Sequence, residues 1–378
     1  MEMDKDTIYK HKHIVLAGDH YNPLGIIRSL GEEGIKPIVL LCAEHPFWVQ
    51  HSKYIGELHI FKTYEEGYLF MVENYGHDTL KPFVYNGSDD TTLLLDKHYD
   101  DLKDHFYFTN GQGSLEKYLQ KYDMCQVASE CGIRIPKEEF LTVGQMPTTL
   151  RYPVITKAAT SAAGGVWKDQ SFVCENEQEL REAYSKMKVD KILVQEFIRK
   201  KNELVMDGIS IDGGNKIFMP YGCSYYHLQK GKYSNYMYFF PFKDKVLGEK
   251  IQKTIKAAKF SGIFSIEFLL GEDGEYYFLE LNCRNSGWSY GCTYGGYNLP
   301  IRWAVSTLNN EISLDGFTAK EKVNVMQDIT DFKERVIEQR VSVFNWIKDV
   351  RECDVFLVYN KKDSKPFWRF LRHKLLRF

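Results

Sequence analysis

Long apolar runs are missing from this 378-residue chain, and no stretch approaches the ~18–20 consecutive apolar residues that span a bilayer. The opening segment, Met1–His13, is polar and mixed in charge, so a secretory signal is not expected. A basic surplus is missing as well. Lys+Arg number 49 against 51 Asp+Glu, for a formal charge of −2. That balance argues against a dedicated nucleic-acid binder, which must neutralise phosphates. Cysteine pairing is absent too. Cys42, Cys125, Cys131, Cys174, Cys223, Cys283, Cys292 and Cys353 form no C-x-x-C pair and no zinc-finger spacing with histidine. They read as buried or free thiols in a reducing, cytoplasmic setting rather than as disulfides or zinc ligands. There is no internal repeat, low-complexity stretch or obvious linker. What remains, 44% apolar and 26% charged residues, is ordinary globular composition, enough for two or three domains at about 150 residues each.

The first hundred residues alternate short apolar runs with helical patterns. His13–Gly18, Lys36–Cys42, Glu57–Phe61 and Pro82–Asn86 read as strands, and Pro23–Glu33 and Tyr64–Asn74 as helices. This βαβ alternation predicts a doubly wound parallel sheet, with ligands beyond the carboxyl ends of the strands. Gly18–Asn22 and Asn86–Asp90 then lie at a candidate substrate edge. The first loop is not G-x-G-x-x-G, so a dehydrogenase is a weak contender. Asp19 and Asp89 are also good helix N-caps, slightly favoured over a ligand role. A helix is expected from Ser114 to about Cys131. From Lys137 to Cys283 β-branched and aromatic residues are dense, which predicts antiparallel sheets with helices near Glu177–Met187 and Leu247–Lys259. A final helical stretch begins near Asn298.

The most informative segment is Gly262–Arg284. Two strand-like runs flank Asp273-Gly274, a strong hairpin signal. A two-residue turn there makes cross-strand partners sum to 547, so Glu267 faces Glu280 and Ser265 faces Asn282. One face then carries Ile266, Phe268, Leu270, Tyr277, Leu279 and Leu281; the other carries Ser265, Glu267, Glu280 and Asn282. Directly opposed carboxylates destabilise a sheet, and a divalent cation turns that repulsion into a site. Two carboxylates and an amide oxygen are the hard donor set Mg²⁺ accepts. The alternative is a solvent-facing hairpin with an idle Glu pair.

Across residues 13–310 the sequence resembles the ATP-grasp superfamily of carboxylate ligases. Glu267, and Glu280 with Asn282, match its metal-binding acid and E-x-N pair, which implies Mg²⁺ (or Mn²⁺) there. Arg284 matches an arginine that meets the transferred phosphoryl group or acyl phosphate. Lys121, before a helix and Gly132–Pro136, and Lys157, in Tyr152–Lys157, match two lysines that reach the ATP phosphates. Ala158–Gly165 matches a small-residue phosphate loop, although it is richer in alanine than usual, and Cys283 stands where proline is frequent. Glu196, Phe197 and Ile198 match the adenine-lining linker, and Glu203 the acid that accepts the ribose hydroxyls. The fold the resemblance implies is α/β plus α+β. It comprises a Rossmann-like pre-ATP-grasp domain over 1–113 and an ATP-grasp domain over 114–315, divided into 114–200 and 201–315. A C-terminal extension covers 316–378.

The implied activity is ligation of a small carboxylate to an amine through an acyl phosphate, with Lys157 and Arg284 as the catalytic pair and ADP released. A thiol as second substrate, or a nucleotide-binding scaffold, stays open. Gly18-Asp19-x-x-Asn22 is similar to D-aspartate ligases of cell-wall synthesis. Small-molecule substrates and a possible homo-oligomer are the expected partners, with no nucleic acid. The 361–378 tail carries seven basic residues against Asp363 alone, with Phe367, Leu371, Leu375 and Phe378 on one helical stripe. It suits either an anionic membrane surface at the inner face or packing on protein.

Overall fold

The computed structural model describes residues 5–118, 121–158, 171–229, 232–313 and 319–375. The amino-terminal unit is a five-stranded parallel sheet. Its strands are β1 (His13–Ala17), β2 (Ile38–Cys42), β3 (Glu57–Phe61), β4 (Phe83–Asn86) and β5 (Tyr107–Phe108), in the spatial order β3-β2-β1-β4-β5. β1 and β2 are buried along their whole length because both faces are covered. Their alternation sorts the two layers. Val15 and Ala17 join Leu24 and Ile27 of the Tyr21–Glu32 helix, whereas Ile14 and Leu16 join Met71 of the Tyr64–Tyr75 helix. Strand order reverses around β1 and β4, which pair directly, so the loops after Ala17 and Asn86 open side by side.

Two further sheets follow. A four-stranded antiparallel sheet orders β6 (Glu138–Thr142), β9 (Lys191–Glu196), β7 (Val154–Ala158) and β8 (Val173–Cys174). An eight-stranded sheet is built on β10 (Lys200–Ile211). Leu204 and Met206 face one core, with Ile251 and Ile255 of the Lys245–Ala257 helix. Val205, Ile209 and Ile211 face the other core, with Leu299 and Trp303 of the Leu299–Asn309 helix. The helix expected from Ser114 to Cys131 is described as two pieces, Leu115–Tyr118 and Lys121–Glu130.

The carboxy-terminal segment is not an appendage. Val323–Met326 and Val355–Phe356 supply two of the eight strands of the large sheet. Arg28, fully buried, donates to Asp363 Oδ2 at 3.1 Å and to the carbonyls of Leu357, Val358 and Asp363 at 2.9–3.0 Å. Asp363 in turn accepts from Ser52 Oγ at 2.8 Å and Lys53 N–H at 2.9 Å. The Lys365–Leu375 helix lays Phe370 on Trp48, ring centroids 4.9 Å apart, and His373 on Phe47 at 3.9 Å. Of the aromatics on the expected membrane-facing stripe, Phe367 packs against the same core. Residues 376–378 lie outside the described residues. Among the described residues no helix is long and apolar enough to cross a membrane.

Candidate active site

The site grows from the hairpin of strands Gly262–Gly271 and Tyr276–Asn282. Ser265 faces Asn282 and Glu267 faces Glu280, as expected, but by a different route. Gly271 N–H donates to the Glu275 carbonyl at 2.9 Å, which makes a three-residue loop closed by Gly274 at φ +83°. Partners near the turn therefore sum to one less: Phe268 faces Phe278, and Leu270 faces Tyr276. A bulge at Leu279 restores the offset before the carboxylates. The two departures cancel at the site and show up in the core, which takes Phe278 and Tyr276 where Tyr277 and Leu279 were expected.

Lys200–Ile211 runs antiparallel beside this hairpin, with Val205 opposite Glu267 and Asp207 opposite Ser265. Period-2 alternation puts Glu203 and Asp207 on the same face as Glu267, Glu280 and Asn282. Burial holds the Glu267 carboxyl well above the usual range, reinforced by the charges of Glu280, Glu203 and Asp207. Burial, then Glu280, pushes Glu203 up to about 8. Burial pushes Asp207 up to about 6 against the hydrogen bond from Ser286 Oγ at 2.9 Å, and its Oδ1 is buried with no partner among the described residues. Lys200 Nζ lies 3.6 Å from Glu203 Oε1. Asp207 was not anticipated, although the Glu203-x-x-x-Asp207 spacing on a strand was a usable signal.

Asn282 Nδ2 donates to Glu267 Oε1 at 3.2 Å and Glu280 Oε1 at 3.1 Å, while its Oδ1 accepts from Arg284 at 3.0 Å. For the amide to serve a cation through oxygen it must turn over. The donor set otherwise fits a hard cation: oxygen-only, half-buried at the two carboxylates and buried at Asn282, and short of positive charge. Among the described residues no three His, Cys, Asp or Glu side chains are grouped closely enough to hold a metal alone. Arg284 also pairs with Asp89 Oδ1 at 2.9 Å, so its ion pair reaches the amino-terminal unit. Asp89 is therefore not the cap of its helix; Ser88 is. Asp19 does not cap either. It clamps the backbone N–H groups of Phe47 and Val49 at 2.7 and 2.9 Å, and His20 caps the Tyr21–Glu32 helix. Asn22 and Asn285 exchange hydrogen bonds of 2.6 Å, and Thr92 Oγ1 donates to the Cys283 carbonyl at 3.1 Å. These contacts seat the Cys283–Trp288 turn on the carboxyl edge of the parallel sheet. Burial raises the thiols of Cys283 and Cys292, so neither is a ready nucleophile.

The remaining candidates lie on the smaller sheet. Lys157 stands on the Val154–Ala158 strand, its Nζ donating to Gln195 Oε1 at 2.7 Å. Glu196, Phe197 and Ile198 form the crossing from Lys191–Glu196 to Lys200–Ile211, and the Phe197 N–H is already used by the Pro153 carbonyl at 3.1 Å. Lys121 opens the Lys121–Glu130 helix, but its side chain lies outside what is described, as does most of the small-residue loop after Ala158.

A small antiparallel sheet joined to a large one, behind a parallel-sheet unit and with buried acids on the large sheet, is the ATP-grasp fold. The chain has that fold. Residues 114–289 match the family model described as the carbamoyl-phosphate synthase L chain, ATP binding domain. Among solved structures, N5-carboxyaminoimidazole synthetase from Staphylococcus aureus is similar at a TM-score of 0.65 and 14% identity, covering 86% of each chain. The L-amino acid ligase from Bacillus licheniformis gives 0.62 and 13%, covering 83% of this chain and 79% of that one. A biotin carboxylase–ATP complex from Campylobacter jejuni gives 0.63 and 17%, covering 84% and 76%. No curated protein matches the sequence.

Proposed function

We propose that the protein is an ATP-dependent ligase that activates a small carboxylate as its acyl phosphate and joins it to an amine. The observation that carries this reading is the half-buried, directly opposed Glu267–Glu280 pair, with Asn282 and Arg284 leading straight into the substrate edge of the parallel sheet. Glu267, Glu280 and Asn282 would hold Mg²⁺ (or Mn²⁺), which when bound neutralises charge on the ATP phosphates. Lys157 and Lys121 serve the phosphates, the Glu196 carbonyl and Ile198 N–H the adenine edge, and Glu203 the ribose. The substrate carboxylate attacks the γ-phosphorus and ADP leaves. The amine then attacks the acyl carbon and phosphate leaves, its departing proton passing to solvent or phosphate. Arg284, with a planar fork of donors, steadies the oxyanions of both steps. No protein nucleophile is needed, because positioning and charge neutralisation supply the catalysis.

Tyr21 lies flush on Gly287, and Tyr225 meets Trp288 edge-on at 6.3 Å, an aromatic wall beside the acids that suits a small polar substrate such as an amino acid. The D-aspartate-ligase likeness of the first loop fits this substrate class. The presence of an L-amino acid ligase among the similar structures supports this substrate class. The test is ADP release from Mg²⁺-ATP against a matrix of amino acids and small carboxylates, with product masses. Carboxylate- and amine-dependent release with an amide mass is expected, and Glu280→Ala should abolish it. A thioester mass moves the second substrate to a thiol. Tight ATP binding without release in any combination moves the protein to a scaffold, and near-normal turnover in Glu280→Ala refutes the metal assignment.

A further inference from the structure

Lys157 is linked to Glu138 through an amide. Its Nζ donates to Gln195 Oε1 at 2.7 Å, Gln195 Nε2 donates to Glu138 Oε2 at 2.8 Å, and Gln126 Nε2 donates to the other Glu138 oxygen at 3.3 Å. The backbone imposes the arrangement. Glu138 is the direct cross-strand partner of Gln195 on one side, and Ile155, two residues before Lys157, is its partner on the other. All three polar side chains therefore share one face of the small sheet, across its central strand. Gln195 is buried, at 4% exposure, so its amide keeps these partners rather than water. Only one orientation is possible. Turning the amide over would set NH₂ against the ammonium and oxygen against the carboxylate, repulsive on both sides.

We propose that Gln195 and Glu138 are positioning residues that aim the Lys157 ammonium at the ATP polyphosphate. This rests on the reading above that the chain binds Mg²⁺-ATP. A free lysine carries substantial rotamer entropy, which a phosphate contact would have to overcome. An acceptor already in place removes part of that cost. A carboxylate touching Nζ would do so too, but it would also neutralise the charge the phosphate needs. The amide spacer passes on orientation and keeps the negative charge one residue away. Glu138 in turn fixes which end of the amide faces Lys157. Neither residue touches the reacting atoms.

The test is calorimetric titration of the full-length protein with Mg²⁺-ATP and separately with adenosine, comparing wild type, Lys157→Ala, Gln195→Leu and Glu138→Gln. Gln195→Leu should weaken Mg²⁺-ATP binding about tenfold or more, as expected for loss of one hydrogen bond to a charged group. Glu138→Gln, the milder change, should weaken it about twofold to threefold. Adenosine affinity should stay within about twofold throughout, because a phosphate-specific effect leaves the nucleoside alone. Parallel loss of both ligands, or wild-type Mg²⁺-ATP affinity in both relay variants, overturns the inference. Wild-type Mg²⁺-ATP affinity in Lys157→Ala removes the lysine from the phosphate site and the relay with it, while the ATP reading stands. A wild-type protein that binds no Mg²⁺-ATP brings down the ATP reading itself, and the relay falls with it.

Discussion

Replacing Asp363 by alanine should loosen the carboxy-terminal segment from the rest of the molecule. Both side chains of the Arg28–Asp363 pair are withdrawn from water, at 0% and 1% exposure. Removing one member of a buried pair typically costs 3–5 kcal/mol, because the other charge stays behind unpaired. Arg28 keeps three carbonyl acceptors in Asp363→Ala, which puts the cost near the bottom of that range, about 3 kcal/mol. Ser52 and the Lys53 N–H each lose an acceptor, which offsets some of that saving. A loss of 3 kcal/mol enlarges the open population about 150-fold where proteolysis tracks the opening equilibrium. Limited proteolysis with mass mapping should then show cleavage within 319–375 far faster than in wild type, alongside a lower denaturant midpoint. The double variant Arg28→Met/Asp363→Leu should recover most of the stability, since it leaves no orphaned charge. Cleavage within about threefold of wild type in Asp363→Ala, or a double variant as weak as the single, would refute the anchor.

Three further outcomes are expected. Burial holds the His13 imidazole down to about 4, while an unfolded histidine titrates near 6.5. Below 6.5 the unfolded state therefore binds a proton the folded state refuses, and about 3 kcal/mol of stability is lost as pH falls from 6.5 to 4. Denaturation at several pH values should show this slope in wild type, and a His13→Gln protein with the same slope would exclude His13 as its source. Asp89→Ala frees the Arg284 guanidinium from its partner in the amino-terminal unit and should lower ligation turnover by about tenfold, with Mg²⁺-ATP affinity within twofold. Equal losses in both would mean that the pair is structural. Gly287→Ala places a methyl group against the Tyr21 ring and should raise KM for the carboxylate or amine with little change in KM for ATP. An unchanged KM for both would remove Tyr21 from the substrate wall.

Local pattern was enough for four of the five strands of the parallel-sheet unit, short apolar runs set between helices, but not for the two-residue Tyr107–Phe108 strand. Glu57–Phe61 matches residue for residue. The pairing of Glu267 with Glu280 was also readable, but only because a longer turn and a compensating bulge leave the far end of the hairpin in register. Bulges depend on tertiary packing, so Leu279 gave no sign in the sequence. Asp207 and Gln195 matter through partners far away in the chain, Ser286 and Glu138, and such pairings follow from which strands lie side by side. Asp19 and Asp89 stand where capping residues belong, yet His20 and Ser88 do the capping. Nothing in the local sequence distinguishes an acid at a helix start that caps from one that reaches another domain. The basic tail had two readings, and the cavity for its aromatics is made by Phe47 and Trp48, over 300 residues earlier.

The Arg28 anchor also bears on the order in which the molecule can be completed during synthesis. The acceptors of a buried guanidinium in the Tyr21–Glu32 helix of the parallel-sheet unit arrive 329–335 residues later. At 5–20 residues per second, the ribosome takes roughly 15–70 s to supply them. Throughout that interval the unit holds a cation that can be sealed from water only by chain not yet made. A nascent amino-terminal unit therefore keeps its helix edge hydrated and open, and the last acidic residue of the chain acts as the latch that closes the first domain.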